Sequence, residues 1–92
     1  MKLLLVEDDH ELADQLQQQL TLSGYAVDTA FDARDADYLR LHFDYELVIL
    51  DLGLPDREGL DLLRAWRTQK SPLPVLILTG RDAWHERVDG LK

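Results

Sequence analysis

Residues 47–59 read LVILDLGLPDREG, and this stretch decides the fold. Its four leading apolar residues end on the carboxylate of Asp51, and Pro55 and Gly59 follow shortly afterwards. An apolar run of this length, bounded by polar residues, is typical of a strand that is buried on both faces. Such a strand requires helices on either side of its sheet, and ligands of such sheets bind beyond the carboxyl ends of the strands. The pattern therefore predicts that Asp51 lies at a functional edge.

Composition indicates one small acidic domain. The 92 residues suffice for a single domain, and 10 basic against 18 acidic residues give a formal net charge of −8. This charge disfavours nucleic acid or an anionic membrane as a direct partner, and it suits a cation or a basic protein surface. The absence of cysteine excludes a disulfide framework and a thiolate metal site. No apolar run approaches the length of a membrane span, so we expect no membrane partner and a cytoplasmic location.

Four strands and the helices between them are predicted. Residues 3–6 and 75–78 are apolar runs like the one before Asp51, whereas residues 25–30 alternate and predict a strand nearer the sheet edge. Amphipathic spacing predicts a helix over 10–23, a second from a cap at Asp32 to about residue 43, and a third over 58–70. The second helix is expected to turn three side chains inward: Ala36, Leu39 and Phe43. A fourth helical pattern near the end of the sequence contains Trp84, Val88 and Leu91. This alternation predicts an α/β fold with a parallel sheet.

Three of the predicted strands end on side chains that can do chemistry. The first is followed by Glu7 and Asp8, the third ends on Asp51, and the fourth is followed by Thr79. Carboxylates that meet at one sheet edge repel each other, and a divalent cation that prefers oxygen ligands resolves the conflict. A site made of a few carboxylates, water and a phosphate oxygen binds magnesium in preference to zinc. A carboxylate beside such a cation can attack phosphorus and form an aspartyl phosphate, to which the Thr79 hydroxyl could donate a hydrogen bond.

Simpler interpretations stay open for some of these residues. Asp8 and Glu11 have the spacing of a capping box, so Asp8 could cap the first helix. Thr79 could be an ordinary hydroxyl at a strand end, and Asp56 is interpreted as a turn residue. Asp51 is harder to explain in this way, because a carboxylate at the end of a buried strand is costly unless something pairs with it.

The motifs LLLVEDD (3–9), VILDLGLPDREG (48–59) and PVLILTG (74–80) together resemble the receiver domain of two-component response regulators. The resemblance extends through all 92 residues. The pattern DLGLPDxxGLxLLxxWR (51–67) resembles the OmpR/PhoB subfamily, and PhoP-type regulators in particular. It implies a flavodoxin-like (CheY-like) doubly wound parallel sheet with strand order 2-1-3-4. The fifth strand and fifth helix of the family have no counterpart in the given sequence. We therefore expect residues 1–92 to be a receiver domain that is incomplete at its C-terminus, with no output domain.

The resemblance also implies the roles of individual residues and the partners. It makes Asp51 the phosphoacceptor. It makes Glu7, Asp8, Asp51 and the Gly53 carbonyl the groups that hold Mg2+, with Asp8 binding the ion directly and Glu7 through water. Thr79 becomes the switch hydroxyl. The implied phosphoryl donor is a sensor histidine kinase, and DNA would be bound only through an output domain outside this sequence.

Three functional hypotheses remain at this stage. The first is a signalling receiver, which is not an enzyme beyond its own phosphorylation and dephosphorylation. The second is a metal-dependent phosphohydrolase with Asp51 as nucleophile; such enzymes often carry a general acid two residues later, where this chain has Gly53. The third is a truncated receiver that no longer signals. Because the fifth strand is missing, we also expect self-association through the exposed fourth strand and fourth helix.

Overall fold

A computed structural model of the chain describes residues 1–78, in which four strands alternate with three helices. The strands are β1 (Lys2–Val6), β2 (Ala26–Ala30), β3 (Leu47–Asp51) and β4 (Val75–Leu78). The helices are α1 (His10–Leu22), α2 (Ala33–His42) and α3 (Gly59–Thr68). Each element lies where the sequence pattern predicts it, with small differences at the ends. The predicted fourth helix and Thr79 lie outside the described residues.

The strands form one parallel sheet in the order β2-β1-β3-β4. The predicted α/β architecture and strand order are confirmed, and β2 is an edge strand as its alternating sequence predicts. The register pairs Val6 with Leu50 across β1 and β3, and it pairs Asp51 with Leu78 across β3 and β4. As a result, the carboxyl ends of β1, β3 and β4 lie side by side.

The two faces of the sheet have separate apolar cores, because successive side chains of a strand point to opposite faces. On one face, Leu4 and Leu50 belong to a cluster that includes the fully buried Leu62 and Trp66 of α3. On the other face, Leu5 and Ile49 belong to a cluster with Ala13 of α1. Burial on both faces of β1 and β3 fixes the two strands rigidly, and it therefore fixes whatever follows their carboxyl ends.

One of the three side chains predicted to point inward from α2 does not do so. Ala36 is fully buried and Leu39 packs against the core, but Phe43 is 48% exposed. The helix ends at His42, and Phe43 has an extended backbone with φ −133° and ψ 153°. Its side chain therefore leaves the inward stripe of the helix, and the Lys2 Nζ atom lies 4.9 Å from the centroid of its ring.

The helices of residues 1–78 differ from membrane-spanning helices in length and apolar character. None of them combines the length and the apolar character needed to cross a bilayer.

Candidate functional site

Three acidic side chains meet at the carboxyl edge of the sheet. Glu7 follows β1, Asp8 comes next, and Asp51 is the last residue of β3. One carboxylate oxygen from each of the three lies within 4.8 Å of the others. We call these three residues the acidic cluster. Because β1 and β3 are paired neighbours, the register of the sheet alone brings Glu7 close to Asp51.

Two members of the acidic cluster are buried. Glu7 is 2% exposed and Asp51 is 4% exposed, and the Glu7 Oε2 atom has no hydrogen-bond partner among the described residues. Burial is the largest influence on Glu7, followed by its hydrogen bond to Asp51 and the negative charges of Asp51, Asp8 and Asp9. Together they raise the pKa of Glu7 from 4.5 to about 9. The cluster therefore disfavours its own full ionisation.

The acidic cluster fits a hard divalent cation. Its donors are carboxylate oxygens, which Mg2+ and Ca2+ prefer, and the chain contains no cysteine to favour a softer metal. A cation would give the buried Glu7 Oε2 atom a partner, and it would offset the repulsion that raises the pKa of Glu7. The chemistry of the donor set and its electrostatics therefore agree.

Gly53 orients the carboxylate of Asp51. Its backbone N–H donates a hydrogen bond of 3.2 Å to Asp51 Oδ1, the local contact that an aspartate makes with the residue two positions later. A Cβ atom at position 53 would lie 3.9 Å from both Asp51 carboxylate oxygens, which is an ordinary van der Waals distance. The role of the Gly53 carbonyl as a metal ligand stays a prediction.

Gly59 permits a close approach that the sequence pattern did not reveal. Its N–H donates to the Leu52 carbonyl oxygen at 3.0 Å where α3 begins. A Cβ atom at this position would lie 2.6 Å from the Asp51 carbonyl oxygen and 2.8 Å from Leu52 Cα. Only glycine allows α3 to begin this close to the phosphoacceptor candidate.

The first helix is capped by Asp9 and not by Asp8. Asp9 Oδ1 accepts hydrogen bonds from Glu11 N at 3.1 Å and from Leu12 N at 3.2 Å. The simpler interpretation of Asp8 as the helix cap is therefore wrong. Its carboxylate instead belongs to the acidic cluster, one residue before the cap.

Comparison with known families identifies the family to which the fold belongs. The sequence model described as the response regulator receiver domain matches residues 3–92. The chain belongs to this family. The receiver resemblance drawn from the three motifs is thus confirmed. The residues of the acidic cluster come from the first and second of those motifs.

Curated relatives and a solved structure narrow the comparison. The receiver is 47% identical to the virulence transcriptional regulatory protein PhoP of Salmonella typhimurium and 54% identical to the transcriptional regulatory protein PmrA of Pectobacterium parmentieri. Each match covers 99% of this chain and 41% of the relative, so the chain spans about two-fifths of their length. The response regulator TrrA of Thermotoga maritima, solved in complex with Mg2+ and BeF, is 31% identical. It superposes with a TM-score of 0.82 over 96% of this chain and 75% of that chain. The resemblance to PhoP-type regulators is confirmed.

Proposed function

We propose that this receiver domain accepts a phosphoryl group on Asp51 from a sensor histidine kinase, in a reaction that requires Mg2+. The observation that carries the proposal is the buried acidic cluster, in which Asp51 lies within 4.8 Å of two further carboxylates. A solved relative, TrrA, is in complex with Mg2+ and BeF, which supports a metal at the corresponding edge of this sheet.

The chemistry assigned to the chain is a single transfer. A carboxylate oxygen of Asp51 attacks the phosphorus of a phosphohistidine, so that an O–P bond forms while the N–P bond breaks and its electron pair returns to the imidazole. Glu7, Asp8, Asp51 and the Gly53 carbonyl are proposed as the metal ligands, and Thr79 as the hydroxyl that senses the phosphoryl group. Mg2+, when bound, neutralises the charge of the phosphoryl oxygens and the carboxylates.

The role of the whole protein follows from its relatives. PhoP and PmrA are named transcriptional regulatory proteins, and this chain covers 41% of their length. We infer a full-length regulator in the cytoplasm, with a DNA-binding output domain that the receiver controls. DNA would be contacted by that domain, because the receiver carries a net charge of −8.

The phosphohydrolase hypothesis is not favoured. Rapid hydrolysis of an aspartyl phosphate needs a proton donor close to the nucleophile, and the position two residues after Asp51 is Gly53. Receiver domains of transcriptional regulators are in general not enzymes, and we propose that this one forms a slowly hydrolysing phosphate suited to signalling. A truncated receiver whose acceptor site no longer reacts would take up no phosphate, so the same measurement also detects a loss of signalling at the acceptor site.

The decisive experiment is intact-mass spectrometry after incubation with a small phosphodonor and Mg2+. We expect the mass of one phosphoryl group on the wild-type protein, none without a divalent cation, and none on Asp51→Ala. Asp44→Ala is the matched control, because Asp44 is an exposed aspartate just before the opposite end of β3, and it should be phosphorylated normally. An adduct that persists on Asp51→Ala would refute the assignment, and rapid multiple turnover of the donor would favour the phosphohydrolase.

Self-association of the 92-residue polypeptide is a further part of the proposal. Within residues 1–78, β4 pairs with β3 on one side and with no strand on the other, and three of its four residues are only partly buried. An unprotected apolar strand edge favours pairing with another chain. Light scattering at low micromolar concentration should report dimers or larger species, and a monodisperse monomer would contradict the expectation.

A further inference from the structure

Asp56 joins the loop after the phosphoacceptor to a different helix. The acceptor loop, residues 52–58, connects β3 to α3. The carboxylate of Asp56 nevertheless accepts hydrogen bonds from two N–H groups of α2, namely Ala33 N to Oδ1 at 2.8 Å and Arg34 N to Oδ2 at 3.1 Å. These partners lie 23 and 22 residues earlier in the chain. Asp56 is therefore a cap, but not of the helix that its own loop leads into.

The start of α2 is shared between two aspartates. Asp32, the residue before the helix, accepts a hydrogen bond from Asp35 N at 2.7 Å, while Asp56 takes the N–H groups of Ala33 and Arg34. The first N–H groups of a helix have no partner within the helix and need acceptors from elsewhere. The hydrogen bonds from Ala33 and then Arg34 lower the pKa of Asp56, which indicates that they favour its charged form.

The contact completes the anchoring of the acceptor loop. Near its start, Leu52 N donates to the Leu78 carbonyl oxygen at 3.0 Å. Just past its end, Gly59 N donates to the Leu52 carbonyl oxygen at 3.0 Å. Between these two points the loop carries Gly53, whose N–H holds Asp51 Oδ1, and Asp56, which is tied to α2. Without the Asp56 contact, the middle of the loop loses this tie to a rigid element.

We propose that Asp56 is a positioning residue for phosphorylation: by tying the acceptor loop to the start of α2, it holds Gly53 where its N–H orients the Asp51 carboxylate. This inference rests on the proposed function of Asp51 as phosphoacceptor. It differs from a purely structural role, because the contact acts on the geometry of the loop as well as on the stability of α2. Misplacement of a reacting group by about 1 Å can slow a reaction by about 100-fold, so a loosened loop has a measurable kinetic cost.

The chain offers a matched control for the test. Asp56→Ala and Asp32→Ala each remove an acceptor from the same helix end, but only the first releases the acceptor loop. Asp56→Asn retains one carbonyl oxygen as acceptor and should rescue in part. All three variants are made in the full-length protein and compared with the wild type. The measured quantities are the unfolding midpoint, the rate of phosphorylation by a small phosphodonor, and the Mg2+ concentration that gives half of the maximal rate.

We expect both alanine variants to lower the unfolding midpoint, since Asp32→Ala loses one helix-capping hydrogen bond and Asp56→Ala loses two. Phosphorylation should slow about tenfold in Asp56→Ala, less in Asp56→Asn, and by less than about twofold in Asp32→Ala. Equal rates for Asp56→Ala and wild type, or equal slowing in the two alanine variants, would overturn the inference.

Amide hydrogen exchange separates this inference from the proposed function. If the wild-type protein took up no phosphate, the proposed function would fail, but the tie between Asp56 and the acceptor loop would still be tested by exchange at Gly53. Faster exchange of the Gly53 amide in Asp56→Ala than in Asp32→Ala supports the tie between Asp56 and the acceptor loop. Equal exchange in the two variants would refute it.

Discussion

Replacement of Gly59 by alanine should damage both the stability and the chemistry of the domain. The added Cβ atom would lie 2.6 Å from the Asp51 carbonyl oxygen, about 0.8 Å short of the 3.4 Å at which ordinary contact begins. It would also lie 2.8 Å from Leu52 Cα, so both obstacles are backbone atoms that cannot rotate away. Either α3 or the end of β3 must therefore move.

The size of the effect follows from the cost of overpacking. An extra carbon forced into a well-packed site destabilises a protein by about 1–3 kcal/mol. The intrinsic preference of alanine over glycine in a helix offsets at most about 1 kcal/mol of this. With a urea dependence of about 1–1.5 kcal/mol per molar for a protein of this size, the unfolding midpoint should fall by roughly 1 M. Because one of the displaced atoms is the carbonyl oxygen of Asp51, phosphorylation should slow by about tenfold as well.

Urea unfolding followed by tryptophan fluorescence measures the first effect, since Trp66 is fully buried against the sheet. Gly53→Ala is the control, because its Cβ atom would meet nothing closer than 3.9 Å and should leave the midpoint within about 0.5 M. An unchanged midpoint and an unchanged phosphorylation rate in Gly59→Ala would refute the close-contact argument. An equal loss of stability in both variants would attribute the effect to the loss of a glycine near Asp51 in general, and not to the close contact at Gly59.

Three further predictions concern single side chains. Asp8→Asn should weaken Mg2+ binding by at least about tenfold in a titration, because it removes one charge from the acidic cluster; an unchanged affinity would remove Asp8 from the ligands. Glu7→Gln should stabilise the metal-free protein by about 1–3 kcal/mol, because an amide can donate a hydrogen bond to Asp51 without taking up a proton, and it should weaken Mg2+ binding. A lower free energy of unfolding of the metal-free variant would contradict this. Tyr45→Phe should cost about 1 kcal/mol, because its hydroxyl donates to Asp28 Oδ2 at 2.7 Å. Burial and this hydrogen bond raise the pKa of the Tyr45 hydroxyl. The stabilisation linked to this shift is therefore present below pH 10 and is lost as pH rises through the pKa of Tyr45 in the folded protein. Spectrophotometric titration should show the raised pKa in the folded protein and not in the unfolded protein.

The strands could be predicted because their signal is local. The apolar runs before Glu7 and Asp51 are buried on both faces, as continuous apolar runs in parallel sheets are. Since all strands of such a sheet point the same way, the prediction that their carboxyl ends share an edge needed no knowledge of the packing. The prediction that Glu7 and Asp51 lie close together needed only the order of the strands in the sheet.

The details that could not be predicted depend on contacts between distant residues or on one-residue choices. Asp8 and Asp9 are adjacent acids, and only the backbone conformation decides that Asp9 caps α1. Phe43 fits the inward stripe of α2, but the helix ends one residue before it. Asp56 has the sequence context of a turn, and nothing local indicates that its partners are Ala33 and Arg34. Similarly, the hydrogen bond of 3.0 Å from Trp66 Nε1 to Asp37 joins residues 29 positions apart.

The position of the buried charge is itself an argument about function. Leu5 and Ile49, in the centre of the sheet, satisfy packing on one face with apolar side chains alone. Glu7 is as deeply buried as they are, yet its Oε2 atom has no hydrogen-bond partner among residues 1–78, and its pKa is raised to about 9. Stability alone does not account for a carboxylate there, because a neutral residue of similar shape would avoid the cost of its desolvation. Local conflicts of this kind are expected where a protein binds or reacts, and this one lies beside the carboxylate of Asp51. A cation held by these carboxylates would offset the repulsion between them, which agrees with the role proposed for Asp51 as the phosphoacceptor.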